Sequence, residues 1–212
     1  MGSWHYAYFF PAHKRPLLPA KGIDALESCD LELLETIRLA TDMDDEGHVE
    51  FAGAQIALRP PFLEDVRRRL ENGEQFLLES HNSDILISIC FATRSYNPHV
   101  LFGWSRKQFA RLDVSVQERY FEMLRKFARE SRAGYVIQVD DPPDHFEDRF
   151  VEVDGHRLLE TQAPDGYRYD IRAVWVDRAA ELPHGVSLPA RDIGMGFLDV
   201  SVSPARDGYS QG

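Results

Sequence analysis

The densest set of groups able to do chemistry follows one short apolar run. Residues 134–150 read GYVIQVDDPPDHFEDRF, which brings Asp140, Asp141, Asp144, His145, Glu147 and Asp148 close together in the chain. Hard divalent cations such as Mg²⁺ or Mn²⁺ take oxygen ligands, so Asp140, Asp141, Asp144 and His145 are candidate ligands for an ion that orients water for hydrolysis. The same carboxylates also suit a docking surface for a basic partner, and a third reading is a solvated acidic loop. Over 140–154 seven acids stand against Arg149 alone, a local net charge of −6. Carboxylates adjacent in sequence often point apart, and no second ligand set has metal spacing, which weighs against catalysis.

Other motifs stop short. Asp42-Met-Asp-Asp-Glu-Gly47 starts like a calcium loop, but its twelfth position is Gly53 where a bidentate Glu is needed. Gly103-Trp104-Ser105 begins like a nucleophile elbow, yet Lys107 stands at the second glycine, and Ser105 also reads as a helix cap. Gly194-Met195-Gly196 lacks a third glycine and a following helix, so no nucleotide-binding loop is formed. The eight histidines show no ligand spacing. Cys29 and Cys90 make no CxxC pair; they read as two unlinked thiols in a reducing cytosol. Residues 106–132 are rich in Arg and Lys, but at helical spacing most fall on a solvated outer face.

Whole-chain composition narrows the class. The 212 residues are 43% hydrophobic and 28% charged, values of an ordinary globular chain. Twenty-four bases against 35 acids give a net charge of −11, which opposes broad binding to nucleic acid or anionic membranes and favours a basic protein partner. No apolar run approaches the roughly 20 residues of a membrane-spanning helix, and the first residues carry no secretory signal, so a cytoplasmic location is expected. No cofactor is implied.

The elements that must position the acidic segment follow from hydrophobic period. Trp4, Tyr6, Tyr8 and Phe10 share one face and His5, Ala7 and Phe9 the other, giving a strand ended by Pro11. Leu33, Leu34, Ile37 and Ala40 form a helical stripe over 31–40, capped by Asp30. Pro60-Pro61 opens a second helix that buries Leu63, Val66 and Leu70 and ends at Asn72-Gly73. Strands over 75–79 and 85–91 flank a polar turn, and the second, apolar throughout, is expected at the sheet centre with both faces buried. A further strand covers 100–102. The clearest helix spans 116–132, opened by a Ser115/Glu118 capping box and burying Tyr120, Met123, Leu124, Phe127 and Ala128. A strand over 135–139 then delivers Asp140 and Asp141 to a sheet edge, where Pro142 and Pro143 stop it.

Asp154-Gly155 joins a hairpin of 150–153 and 156–159, alternation marks a strand over 167–176, and a last strand covers 196–202. Helices early and hairpins late predict an α+β fold, a mainly antiparallel sheet with helices packed on it. One domain over 1–202 and a flexible tail over 203–212 are expected.

An acidic, compact α+β chain with a concentrated carboxylate segment resembles the small cytosolic immunity proteins that bacteria make against their own toxins. The resemblance is one of type, carried by the 134–150 stretch and the charge balance, with no family motif matched residue by residue. It implies a non-catalytic protein that covers the active site of a cognate toxin domain. Asp140, Asp141, Asp144, Glu147 and Asp148 would then steer toward a basic cleft, with Phe146 or Tyr167 as an aromatic anchor. The alternative remains a divalent-metal-dependent hydrolase built on the 140–148 carboxylates.

Overall fold

The computed structural model describes residues 4–12, 15–27, 36–40, 42–43, 49–50, 56–57, 60–81, 85–93, 98–142, 170–179 and 191–200. In chain order the elements are β1 (Trp4–Pro11), α1 (Pro19–Glu27), β2 (Thr36–Ala40), β3 (Asp42–Met43), β4 (Val49–Glu50), β5 (Ile56–Ala57), α2 (Pro60–Glu71), β6 (Phe76–His81), β7 (Leu86–Ala92) and β8 (His99–Ser105). They continue with α3 (Arg106–Phe109), α4 (Val114–Glu130), β9 (Ala133–Asp140), β10 (Asp170–Asp177), β11 (Arg191–Gly194) and β12 (Phe197–Asp199). Among the described residues ten strands form one sheet in the order β11-β12-β10-β9-β1-β8-β7-β6-β2-β5, and β3 pairs with β4 apart from it. Every pairing among them is antiparallel. The fold is α+β and mainly sheet.

The alternation in β1 places it between β9 and β8, in the middle of the sheet. Its Ala7 and Phe9 join a core with Ile87, Ile89, Phe91, Val100, Phe102 and the inner faces of α1, α2 and α4. Phe127 of α4 anchors this core, its ring 5.2 Å from Phe9 and 5.0 Å from Phe102. The opposite face of the central strands carries a second cluster of Tyr8, Phe10, Ile137 and Val139.

Several expectations need correction. β7 is not the sheet centre: Ile87, Ile89 and Phe91 are buried, while Leu86, Ser88, Cys90 and Ala92 are only half-buried. That is the alternation of an antiparallel strand covered fully on one face. Residues 36–40, expected in a helix, pair along their length with β6, and residues 31–35 lie outside the described set. Cross-strand pairing has overridden a stripe that fitted a 3.6-residue period. This also removes the entering helix of a calcium loop, and Asp42 instead lies opposite Glu50 in the β3–β4 pair.

The helix α4 starts at Val114 with Asp113 as its N-cap, so Ser115 and Glu118 lie inside it and the expected capping box does not open the helix. Its inward stripe of Tyr120, Met123, Leu124, Phe127 and Ala128 is buried as predicted. Ser105 caps α3, accepting a hydrogen bond from the Gln108 N–H at 3.5 Å. Gly194-Met195-Gly196 is the turn of the β11–β12 hairpin, with φ of 83°, 52° and 88°, and the last strand ends at Asp199. The helix α1 carried no prior signal, because Gly22 sits in its middle. A Cβ there would lie 2.6 Å from Cε2 of Phe127, so glycine is what lets α1 approach α4. The hairpin expected at 150–159, the first residues of the strand expected over 167–176, and Cys29 lie outside the described residues. Among the described residues, no helix is long and apolar enough to cross a membrane.

Candidate functional site

Three central strands and β10 bring their ends together at one edge of the sheet. In register, His5 of β1 lies opposite Trp104 of β8 and Asp140 of β9, and Asp140 lies opposite Asp170 of β10. Strand alternation puts His5, Gln138 and Asp140 on the helix-covered face. The pairing of β10 with β9 shifts between Ile171 and Ala173, leaving Arg172 as an extra residue. Such a bulge re-aims its side chain. Here Arg172 donates from Nε to Asp140 Oδ2 at 2.5 Å and from Nη2 to Asp170 Oδ2 at 2.6 Å.

Asp140 is the hub of this arrangement. Its Oδ1 is 2.6 Å from Nδ1 of His5, and its Oδ2 also meets Nη1 of Arg106 at 2.9 Å. The other ring nitrogen of His5 lies 3.3 Å from Oε1 of Gln138, and the imidazole stands 4.6 Å from the Trp104 ring. The carboxylate is only 3% exposed, whereas the Arg106 and Arg172 side chains are half-exposed. Charge-assisted donors surround it and compensate the cost of burying it.

Asp141 behaves differently. It is exposed and left-handed, with φ of 40°. Its Oδ1 accepts from the Trp4 backbone N–H at 2.6 Å, and its own N–H donates to the Trp4 carbonyl at 3.0 Å. The point where the chain leaves β9 is therefore tied to the first described residue of β1.

The sheet thus brings the predicted Asp140 and Asp141 to one place but gives them opposite fates: Asp140 is turned inward and engaged, and Asp141 faces solvent. Asp144, His145, Phe146, Glu147, Asp148 and Tyr167 lie outside the described residues. Reasoning from sequence missed His5, Arg106, Gln138 and Arg172 as members of the site. The one available signal was a histidine on the same strand face as Ala7 and Phe9. Arg172 had none, because the bulge depends on how β10 meets β9.

The donor set does not fit a metal at Asp140. A divalent ion on its Oδ2 would sit against two guanidinium cations already bonded to that oxygen. Among the described residues no group of three or more His, Cys, Asp or Glu side chains is placed to hold an ion.

Asp141 also reaches Tyr6. Burial, with the negative charge of Asp141 behind it, pushes the Tyr6 phenol above its ordinary value of 10.0, and burial does the same to Tyr135. The fold thereby favours the neutral phenol, while the unfolded chain ionises near pH 10. The stabilising contribution is present below about pH 10 and lost as pH rises through the raised folded value. Tyr6→Phe is expected to flatten the loss of stability above about pH 10, measured by urea unfolding at stepped pH; an unchanged slope would remove Tyr6 as its source.

No protein-family model matches the chain, and no curated protein matches it. Among solved structures it is similar to a Pseudomonas aeruginosa T6SS protein, at 14% identity and a TM-score of 0.35, over 70% of this chain and 44% of that one. It is also similar to a chain in the structure of the toxic C-terminal tip of CdiA from Pseudomonas aeruginosa in complex with immune protein. That likeness has 7% identity and a TM-score of 0.36, over 67% of this chain and 88% of the other. The chain spans less than half the length of the T6SS protein. Likenesses of this size are partial and carry no argument about function.

Proposed function

We propose that the chain is a non-catalytic acidic binding protein that neutralises a cognate toxin domain by covering its active site. The observation that carries the reading is the division of labour at the end of β9. Asp140 is committed internally to His5, Arg106 and Arg172, so it serves as a brace and not as a ligand or surface charge. Asp141, the first acid after it, faces solvent from a fixed base, tied to Trp4 by two hydrogen bonds. Asp141, Asp144, Glu147 and Asp148 are then the steering charges and Phe146 or Tyr167 the anchor. The net charge of −11 supports a basic partner. The metal-dependent hydrolase loses its first ligand to two arginines. The reading rests on charge and on the pairing of Asp140, and not on the structural likenesses.

The test is growth rescue. The chain is co-expressed with each basic toxin domain encoded beside it in its genome of origin. Rescue is expected from wild type and not from a variant carrying Lys at 141, 144, 147 and 148, provided both unfold at the same temperature. Equal rescue by the two forms, or metal-dependent phosphodiester hydrolysis by the purified chain, would overturn the proposal.

A further inference from the structure

The face of the sheet opposite His5 and Asp140 carries a second arrangement at the same edge. Trp4 and Tyr6 share that face of β1, their rings stacked at 6.2 Å with an interplanar angle of 27°, and both are half-buried. Asp141 completes a corner with them. Its carboxylate is bonded to the Trp4 backbone N–H through Oδ1, it is exposed, and its charge is felt at the Tyr6 phenol. Asp141 holds a left-handed backbone, which aspartate tolerates better than most residues, and its two bonds to Trp4 fix it there. The nearby cations Arg106 and Arg172 are bonded to Asp140.

An exposed, fixed carboxylate next to stacked aromatic rings is the chemistry that recognises a guanidinium: the carboxylate takes N–H donors, and a ring face attracts the cation from within about 6 Å of its centroid. We propose that Trp4, Tyr6 and Asp141 form a site for an arginine side chain of the partner protein. The biological source of that arginine rests on the binding-protein reading; the chemistry of the site does not.

The site can be tested with arginine amide alone. The purified chain is titrated at constant ionic strength while the Trp4 indole N–H and the Tyr6 ring are followed by NMR. The expected result is saturable movement of both signals with a midpoint on the order of 30 mM, the strength of one exposed cation–aromatic contact plus one exposed ion pair. Citrulline amide, of the same size without the charge, should leave both signals in place. Asp141→Asn is expected to weaken binding at least about threefold, and Trp4→Leu to do the same at the Tyr6 signal.

Equal movement with citrulline amide, no saturation in wild type, or undiminished binding by Asp141→Asn would overturn the site. If arginine amide binds as expected while no toxin domain is rescued, the corner stands and the binding-protein reading falls. If rescue succeeds and Asp141→Asn neither loses it nor binds arginine amide differently from wild type, the reading stands and the corner falls.

Discussion

Replacing Asp140 with alanine is expected to destabilise the fold by about 3 kcal/mol, the usual cost of removing one partner from a buried, hydrogen-bonded ionic cluster. The loss falls on three donors at once. His5 is buried and would lose the acceptor of its Nδ1, while Arg106 and Arg172 would lose the oxygen they share. Both arginines are half-exposed and can turn to water, which is why the figure lies at the low end of such effects. For a chain of this size the melting temperature should fall on the order of 10 °C. Asp140→Asn keeps an acceptor but not the charge, and should recover less than half of the loss. Thermal and urea unfolding measure both, and a loss below about 1 kcal/mol would show that Asp140 braces nothing. A double-mutant cycle with Arg172→Ala isolates the contact that the bulge creates.

Phe127→Ala is expected to cost about 4 kcal/mol, within the range for deleting a buried aromatic ring from a core. The ring is fully buried, packs edge-on against Phe9 and Phe102, and fills the space above Gly22. Its removal opens a cavity where α1, α4 and the central strands meet. Gly22 supplies a check. In wild type a Cβ at Gly22 collides with the Phe127 ring, so Gly22→Ala should be destabilising; in Phe127→Ala the same change should be neutral or better. Additive effects of the two substitutions would mean that the ring is not what excludes a side chain at position 22.

These two sites differ in how far the sequence reveals them. Phe127 belongs to a stripe of Tyr120, Met123, Leu124, Phe127 and Ala128 that is visible from spacing alone, because a helix buries one face whatever it packs against. The same holds for α2 and for the alternation of β1. The stretch 36–40 shows the limit: Ile37 and Ala40 fit a helical stripe, but β6 offers them a partner strand. Short apolar runs do not determine their own period, and pairing with a distant strand decides it.

The acidic segment divides along the same line. Its composition places an acidic stretch of chain directly after a buried strand, because Pro142 and Pro143 forbid that strand to continue. Sequence also determines the net charge, the α+β class and the inward face of α4, all of which depend on local order or on counting. Only the tertiary structure separates Asp140 from Asp141. Asp140 is the last residue of β9 and is turned inward, whereas Asp141 has left the strand with a positive φ and faces solvent, and which side is internal depends on what packs over the central strands. The charges that answer Asp140 come from Arg106 and from Arg172, the latter 32 residues away and aimed by a bulge that exists only when β10 pairs with β9. Local order therefore sets where the acids fall along the chain, and long-range pairing sets that Asp140 is a brace while Asp141 meets solvent.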